Sequence, residues 1–531
     1  MLDLPDSGIP QGIEKYIHLR WLNLSYNGSF SIFEVLDTIC SELYNLQTLL
    51  LSNCNLQEIP RGIGNLINLR HLDLSENESL KELPREIGNL INLRHLDLNS
   101  NESLEELPRE IGNLINLRHL DLNNNESLEE LPREIGNLIN LRYLDLSSNG
   151  SLKELPREMW SLVNLRHLDL SYNTSLKELP REMENLINLR HLDLSSNGSL
   201  KELPESICGL RELKTLNITL CDRISSLPQG IHRLVNLKHL HTDSIMQFPQ
   251  GLAHLTCLHT LSEFWVGKNV GKLGWLKNLN RLSGSLILRI SLNGGLENTD
   301  VEDAREGELR NKEYLQELDI TFYEDIDEVE DCVRMGVIDA LQPHPNLQKL
   351  SIWNFKGSRL PGWIASPINQ VKNIRLINFD HLSSLAPLGI LPFLEEIDIF
   401  FIHEMRFVGC EFLGITTTSE SGHTNSITDV YFHKLKKLAL MNCSKWEEWE
   451  DITVQQEDEK VSFMPHLTSL SIKGCDRLAA LPHRLLRKAA ALEKLDISGS
   501  TQLEQCYGDQ EGSPWKSISN INPRIQLTMS D

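Results

Sequence analysis

The chain has 531 residues, of which 40% are apolar, and its 51 Lys and Arg against 74 Asp and Glu give a formal net charge of -23. Such an acidic surface repels phosphate backbones, which argues against nucleic acid as a partner. No apolar run reaches the roughly 20 residues of a membrane span, and the first residues lack a secretory signal. The ten cysteines show no metal spacing, so we expect a reducing compartment, the cytosol or nucleus.

The first predicted strand lies near the start of the chain. Leu22 and Leu24 alternate with polar residues, and only a short polar stretch precedes them. Stacked repeats need a polar cap at each end. We therefore expect more protein upstream, which would make this chain the C-terminal part of a larger one.

One sequence unit recurs through the first half of the chain. In "LRHLDLSENESLKELPREIGNL", which opens at Leu69, Leu72 and Leu74 alternate with polar residues and predict a short strand. Pro84 rules out a continuing central strand. The letters "REIGNL" then predict a loose helical or 3₁₀ return. The pattern LxxLxLxxN is the signature of a leucine-rich repeat.

These repeats predict an α/β leucine-rich-repeat solenoid. One unit cannot bury its leucines alone, whereas stacked units share a core and pair their strands in parallel. We expect a horseshoe of about 19 rungs, with the parallel sheet on the concave face and short helical, 3₁₀ or loop returns on the convex face. Regular repeats cover 1–261, irregular repeats cover 262–500 with loops near 323–333 and 414–429, and 501–531 forms a C-terminal cap or tail. The leucine frame places the openings of the first irregular strands near Ser285 and Leu315.

An asparagine closes most of the regular strands. Its amide both donates and accepts hydrogen bonds, so it can satisfy backbone groups where the chain leaves the strand. Most of these residues also spell a glycosylation sequon, but an inward-pointing amide favours the structural role. The slot holds Asn27, Asn77, Asn101, Asn125, Asn149, Asn173 and Asn197, and elsewhere Cys54, Cys221, Cys443 and Cys475.

The second half contains longer blocks that resemble a known family. The blocks "LSEFWVGKNVGKLGWLKNLNRLSGSL", "ALQPHPNLQKLSIWNFKGSRLPGWI", "LAPLGILPFLEEIDIFFIHEMRFVGCEFLG" and "FHKLKKLALMNCSKWEEWE" look like those of coiled-coil nucleotide-binding leucine-rich-repeat plant disease resistance proteins. The resemblance covers nearly the whole chain. It implies intracellular recognition of a pathogen effector or a guarded host protein, and restraint of a nucleotide switch domain.

The chain departs from that family in lacking a nucleotide site. In "GKNVGKL" from Gly267 the glycine spacing is one residue short of a phosphate-binding loop, and Leu273 stands where a magnesium-binding hydroxyl belongs. We expect no cofactor in this chain, because ATP or ADP would bind a missing upstream domain. Three arginines of the returns are candidates for contact with that domain, namely Arg61, Arg85 and Arg109.

The third and fifth residues of each regular strand are expected to face the concave side. Adjacent carboxylates at the fifth position should repel one another, and we expect the histidines and the arginines at the second position to offset this. Three interpretations stay open: repeat consensus, a polar strip that docks a basic partner, and a metal strip without a closed ligand set. The candidate residues are His71, His95, His119, His167 and His191, with Asp73, Asp97 and Asp121.

The seventh position changes character along the chain. It is Ser or Asn in the regular repeats, whereas four consecutive rungs of the second half carry large apolar side chains. Exposed in a row, these would form a protein-binding hot spot, unless a bend or the polar segment after Gly414 covers them. The candidate residues are Trp353, Ile377, Phe400 and Met441.

These features favour a protein-interaction module over an enzyme. We find no nucleophile elbow, zinc motif or phosphate loop, and the His and Asp rows follow the repeat. The leading interpretation is the ligand-sensing and restraining arm of an intracellular immune receptor. The alternatives are a free-standing cytosolic scaffold for signalling proteins and an extracellular inhibitor of pathogen hydrolases, the latter disfavoured by the repeated "ELP" and the missing signal.

Overall fold

The computed structural model describes residues 1–6, 12–28, 32–243, 245–268, 270–291, 298–323, 330–415, 430–458, 461–509, 513–519 and 525–529. The chain divides into two compact units, Met1–Ser262 and Glu263–Asp531, which we call unit 1 and unit 2. Each unit contains one long parallel sheet. The structure therefore shows the predicted leucine-rich-repeat architecture in both units.

Unit 1 contains a parallel sheet of 12 strands that pair in chain order. Neighbouring strands pair position for position, so that Leu72 lies opposite Leu96. The strands are β1 (Leu2–Asp3), β2 (Trp21–Asn23), β3 (Thr48–Leu50), β4 (His71–Asp73), β5 (His95–Asp97), β6 (His119–Asp121), β7 (Tyr143–Asp145), β8 (His167–Asp169), β9 (His191–Asp193), β10 (Thr215–Asn217), β11 (His239–His241) and β12 (Thr260–Leu261).

Short helices return the chain to the next strand. A proline precedes most of them; Pro84, with φ -66°, holds the extended backbone from which the return starts. One return is the α-helix α1 (Ile32–Glu42). The 3₁₀ helices of unit 1 are Ile13–Lys15, Arg61–Asn65, Arg85–Asn89, Arg109–Asn113, Arg133–Asn137, Arg157–Ser161, Arg181–Asn185, Glu205–Gly209, Gln229–Arg233 and Gln250–His254.

The leucines of each repeat form the core of unit 1. Leu69, Leu72 and Leu74 have no exposed surface, and the same holds for the equivalent leucines of the following regular repeats. The returns also stack closely: a Cβ atom on Gly88 would lie 2.6 Å from the backbone oxygen of Glu110 in the next repeat. A glycine at position 88 therefore allows its return to approach the next one this closely.

The asparagine that closes each regular strand is buried, as predicted. The Nδ2 group of Asn101 donates to the backbone oxygens of Leu98 at 2.7 Å and Leu74 at 3.1 Å. Its Oδ1 atom accepts the backbone N–H of Asn77 at 3.1 Å. One amide thus satisfies three backbone groups of two adjacent rungs, which confirms the structural interpretation of this position.

Unit 2 contains a parallel sheet of ten strands and two small two-stranded sheets. The main sheet follows the order β13, β14, β15, β16, β17, β18, β21, β24, β25, β26, while β19 pairs with β22 and β20 pairs with β23. The strands are β13 (Glu263–Val266), β14 (Gly284–Ser291), β15 (Leu315–Tyr323), β16 (Lys349–Trp353), β17 (Asn373–Phe379), β18 (Glu396–Ile402), β19 (Phe407–Val408), β20 (Val430–Tyr431), β21 (Lys437–Met441), β22 (Glu448–Trp449), β23 (Ser462–Phe463), β24 (Ser469–Lys473), β25 (Lys494–Asp496) and β26 (Gln526–Thr528).

The returns of unit 2 are more varied than those of unit 1. Its α-helices are α2 (Asn298–Glu306), α3 (Asp331–Ala340), α4 (Val454–Asp458), α5 (His483–Lys488), α6 (Thr501–Tyr507) and α7 (Ser513–Ser519). Its 3₁₀ helices are Leu273–Leu276, Leu309–Asn311, Gly362–Ala365, Leu388–Ile390 and Cys410–Leu413.

The structure corrects the sequence predictions at both ends of the chain. In the described residues, the two main sheets contain 12 and ten strands. The leucine frame predicts about 19 rungs, so three strands are additional. Leu2–Asp3 pairs with β2, so the stretch before Leu22 already forms part of the sheet. Gln526–Thr528 pairs with β25, so the closing segment adds a strand as well as two helices. The third extra strand is β13, which follows β12 after a single residue in the chain.

Two further predictions needed correction. The frame assigned near Ser285 was wrong, because Ile287 lies opposite Asp319 and the repeat therefore opens at Ser283. The loop predicted near 323–333 is already helical from Asp331, while 324–329 lies outside the described residues. Of the loop predicted at 414–429, residues 416–429 also lie outside them.

Candidate functional site

The third-position residues of unit 1 form a stack of rings along the sheet. The centroids of His71 and His95 are 4.2 Å apart, and those of His95 and His119 are 4.0 Å apart, with nearly parallel planes. The stack continues through Tyr143 to His167 at 4.1 and 4.5 Å and loosens to 5.7 Å at His191. The strand register brings these predicted residues together as one continuous strip.

The fifth-position aspartates each stabilise the turn that follows their strand. The Oδ1 atom of Asp97 accepts the backbone N–H of Asn99 at 3.0 Å, and Asp121 accepts that of Asn123 at 2.9 Å. Asp73 makes the same bond to Ser75 at 3.0 Å. The aspartate row therefore has a structural role within each rung, and its role in binding stays a prediction.

The charge state of these two rows differs from the sequence expectation. Burial and the neighbouring histidines lower the pKa of His95 to about 3, and burial lowers the pKa of His119 to about 4. These imidazoles are thus neutral at pH 7 and do not offset the aspartates. Burial, with the neighbouring carboxylates, instead raises the pKa of Asp121 to about 7, so partial protonation relieves the repulsion.

The apolar seventh-position residues of unit 2 lie side by side on four adjacent strands. Trp353 pairs with Ile377, Ile377 with Phe400, and Phe400 with Met441. All four side chains are half-buried rather than fully exposed, and the indole Nε1 of Trp353 donates to Asp319 Oδ2 at 2.9 Å. We call these four residues the apolar row. The alternative that the segment after Gly414 covers them concerns residues outside the described part.

The same row continues into residues that sequence reasoning missed. Trp265 pairs with Arg289 and Arg289 with Thr321, which in turn pairs with Trp353. The ring centroids of Trp265 and Tyr323 are 5.0 Å apart, and the Arg289 guanidinium lies 5.7 and 5.8 Å from them. Arg289 also pairs with the buried carboxylate of Glu263. A correct frame at Ser283 would have revealed this aromatic–arginine cluster.

A polar depression of about 480 Å³ lies beside the apolar row on the same sheet. Its charged side chains are paired across neighbouring strands, as in Lys349–Glu317 at 2.5 Å and Arg375–Asp398 at 3.1 Å. Asn373 donates to Glu396 at 2.8 Å. The depression is lined by Ser285, Ile287, Glu317, Leu318, Asp319, Lys349, Leu350, Ser351, Asn373, Ile374, Arg375, Glu396 and Asp398.

In the described residues, no group of three or more His, Cys, Asp or Glu side chains is arranged to hold a metal ion. Within that same part of the chain, no helix is long and apolar enough to cross a bilayer.

Comparison with known families identifies the class of protein. The profile of the leucine-rich repeat region matches residues 61–130, 109–186 and 180–473, and a leucine-rich repeat profile matches 45–66. These matches cover more than half of the chain. The chain therefore belongs to the leucine-rich repeat family, whose fold is typically a non-enzymatic scaffold for protein interaction.

The curated relatives are plant disease resistance proteins, as the sequence blocks indicated. The chain is 30% identical over 267 residues to disease resistance protein RGA2 of Solanum bulbocastanum, a match covering 47% of this chain and 26% of that protein. It is also 30% identical over 221 residues to an RPP13-like disease resistance protein of Arabidopsis thaliana, covering 40% and 19% respectively. The matched stretch thus spans about a quarter or less of these relatives.

A solved structure supports the fold independently. A leucine-rich-repeat protein of Leptospira interrogans superposes with a TM-score of 0.51 at 24% identity, over 99% of this chain and 94% of that one. At this identity the likeness concerns the fold alone. Together, the fold and the plant relatives support a protein-interaction role.

Proposed function

We propose that the sheet face of unit 2 captures a protein ligand in a plant defence response. The observation that carries this proposal is the apolar row, in which Trp353, Ile377, Phe400 and Met441 lie in register on adjacent strands. Half-buried aromatic side chains on a rigid sheet supply contact area at little entropic cost, which is how binding hot spots are built.

The adjacent depression adds specificity to that contact. Its carboxylates and cations are already paired with each other, as Lys437 is with Glu396 at 2.9 Å. A ligand must therefore exchange these pairs for its own, which rejects surfaces of the wrong charge pattern. The ligand is a pathogen effector or a guarded host protein, met inside the cell, since the relatives are named as disease resistance proteins.

The test compares ligand capture by two matched double variants. The chain is expressed with an affinity tag in plant cells challenged with a pathogen, and its captured partners are quantified by mass spectrometry. Trp353→Ser with Phe400→Ser should reduce capture of a specific partner by about tenfold or more, because each hot-spot side chain contributes roughly 2 kcal/mol.

The control removes two exposed apolar side chains outside the row. Ile368→Ser with Phe407→Ser has a comparable loss of apolar surface, since these side chains are 65% and 42% exposed. This variant should retain the partner. Equal capture by all three proteins, or equal loss in both variants, would contradict binding at the apolar row.

The proposal also includes restraint of a nucleotide switch domain that binds ATP or ADP. Arg85 and Arg109 lie exposed at the start of their returns, each 3.3 Å from the following glutamate, and Arg61 occupies the same position one repeat earlier. Co-precipitation of this chain with the nucleotide-binding domain of the Solanum relative should weaken when all three arginines are changed to Glu. Unaltered co-precipitation would remove these arginines from the proposed contact.

A further inference from the structure

One edge of the unit 1 sheet presents two parallel rows of exposed side chains. Each regular repeat passes from its return into its strand through a short segment such as Asn89–Arg94, which exposes an aliphatic side chain and, three residues later, a basic one. The aliphatic row is Ile67, Ile91, Ile115, Ile139, Val163, Ile187 and Val235, each at least 40% exposed. The basic row consists of the exposed Arg70, Arg94, Arg118, Arg142, Arg166 and Lys238, with the half-exposed Arg190 and Lys214.

Both rows are held straight by the backbone. Because the strands pair without offset, equivalent residues of successive repeats lie along the same edge. A second set of asparagines ties the repeats together there: Nδ2 of Asn92 donates to the backbone oxygen of Ile67, and Nδ2 of Asn116 to that of Ile91, both at 2.8 Å. We call this surface the strand-start edge.

The strand-start edge is basic although the chain as a whole is acidic. No Asp or Glu occurs between Glu86 and Asp97, and the two following repeats show the same gap. In the described part of the chain, the basic row forms no ion pairs, whereas Arg85 at the start of the return pairs with Glu86. The positive charge of this edge is therefore not neutralised locally.

The first acidic residue after Arg94 along the chain is Asp97, at the end of the strand His95–Asp97. It is three residues away, which at about 3.3 Å per residue is roughly 10 Å and exceeds the screening length of about 8 Å at physiological salt. Glutamates such as Glu102, Glu105 and Glu106 come only after the strand has ended. An anionic surface that approaches the strand-start edge therefore meets mainly positive charge.

We propose that the strand-start edge of unit 1 docks on a membrane surface rich in anionic lipid. The repetition favours this partner: the same two side chains recur at each rung, so a rigid protein could shift by one rung without losing contacts. A fluid lipid surface needs no register. Its phosphates and carboxylates meet the basic row, while the aliphatic row enters the boundary between headgroups and acyl chains.

The test measures sedimentation of the full chain with phosphatidylcholine vesicles, with and without phosphatidylserine. Binding should require phosphatidylserine and weaken as salt is raised. Arg94→Glu, Arg118→Glu and Arg142→Glu together should lower the bound fraction by about tenfold or more, since each basic residue near an anionic surface contributes separately. Ile91→Ser, Ile115→Ser and Ile139→Ser should lower it by a smaller factor.

The same repeats supply a matched control. Arg133→Glu, Arg157→Glu and Arg181→Glu make the identical charge change at the other end of the returns, and this variant should bind nearly as wild type does. All variants should unfold at the wild-type temperature.

Failure of the wild type to sediment with phosphatidylserine vesicles, or an equal loss of binding in the control variant, would overturn the proposal. The proposal would also be overturned if the chain bound soluble polyglutamate but not vesicles, and if Arg94→Glu weakened that binding. Such a result would identify an acidic protein as the partner. Ligand capture by unit 2 is measured separately and does not depend on this result.

Discussion

Unit 1 and unit 2 share one leucine frame but close their strands in different ways. In unit 1 the residue after the left-handed turn is a buried asparagine, such as Asn101, while the turn itself is Ser100 with φ 56°. In unit 2 the asparagine moves one residue earlier, to Asn354 with φ 55°, and a buried Phe355 takes the inner slot. In unit 1 the turn is stabilised by a buried asparagine that hydrogen-bonds backbone groups. In unit 2 it is stabilised because the asparagine at the turn itself tolerates the left-handed conformation.

The inner slot of unit 2 consequently forms an aromatic column. The ring centroids of Phe322 and Phe355 are 4.9 Å apart, and those of Phe355 and Phe379 are 5.9 Å apart. Side chains that pack by shape accept more variation in return length than amides that must meet fixed carbonyl groups. This difference explains why unit 1 is uniform whereas unit 2 varies its returns and its binding face.

The largest expected effect is in the aromatic column. Phe355→Ala removes a fully buried ring and should lower the free energy of unfolding by about 4 kcal/mol, through lost burial and a cavity. Hydrogen exchange should accelerate in unit 2, because repeats are coupled mainly to their neighbours. Equal acceleration of hydrogen exchange throughout unit 1 would contradict the expectation that a destabilising change in unit 2 acts mainly on neighbouring repeats.

The buried amides of unit 1 should follow closely. Asn101→Ala leaves the backbone N–H of Asn77 without its side-chain partner. It also removes one of the two asparagine donors from each of the backbone oxygens of Leu74 and Leu98, which keep those from Asn77 and Asn125. We expect a loss of about 2 kcal/mol in chemical denaturation, because an unsatisfied buried group costs about 1 kcal/mol or more and the lost hydrogen bonds add to it. Asn89→Ala, at an exposed position of the preceding repeat, should change stability by less than about 0.5 kcal/mol. Similar values for the two variants would contradict the role of burial.

The histidine stack distinguishes the units by pH. Burial lowers the pKa of His95 to about 3 and of His119 to about 4 in the folded chain, below the unfolded value of about 6.5. The contribution of these two histidines to the free energy of unfolding is therefore complete above pH 6.5. It is lost as the pH falls toward their pKa values in the folded chain. Asp121, whose pKa burial raises to about 7, acts in the opposite direction.

The measurement is the unfolding free energy of the wild type and a double variant, His95→Phe with His119→Phe, between pH 7.5 and 4.5. The variant keeps the rings but cannot be protonated, so its stability should fall less steeply. The slopes of unfolding free energy against pH should differ by up to about 1 kcal/mol per pH unit for each histidine replaced, after allowance for screening at these half-exposed sites. Identical slopes would show that the stack does not resist protonation.

The smallest effect concerns the exposed asparagines of the strand-start edge. Asn116→Ala removes one hydrogen bond, from Nδ2 to the backbone oxygen of Ile91 at 2.8 Å. Water can replace this bond, so we expect a loss of about 1 kcal/mol or less. An effect as large as that of Asn101→Ala would show that exposed and buried amides contribute alike, contrary to the comparison drawn within unit 1.

The sequence predicted unit 1 well because its pattern has a single period. The strand His71–Asp73 and the return Arg85–Asn89 lie where the leucine frame placed them. The leucine frame made no prediction for Ile91, whose side chain is 51% exposed. An apolar letter between two elements does not reveal which way the backbone turns it.

Unit 2 was harder to predict because its frame slips. The apolar row was found from Trp353 onward, where the frame holds. Trp265 and Arg289 were missed, since β14 shifts its register against β15 between Gly284 and Ser285, and its repeat opens two residues earlier than expected. Such slips depend on which residues pair across strands, and the leucine spacing alone does not fix that pairing.

The glycine contact between successive returns has a consequence for how such a chain changes length. Gly88 accommodates Glu110 of the next repeat, as Gly64 accommodates Glu86. Each of these repeats therefore contains a glycine that contacts the following repeat and a glutamate that contacts the preceding one. Inserting or deleting a whole repeat between Gly88 and Gly136 leaves every such contact intact. Recombination that adds a whole repeat to this segment therefore lengthens the strand-start edge by one exposed Ile and one Arg.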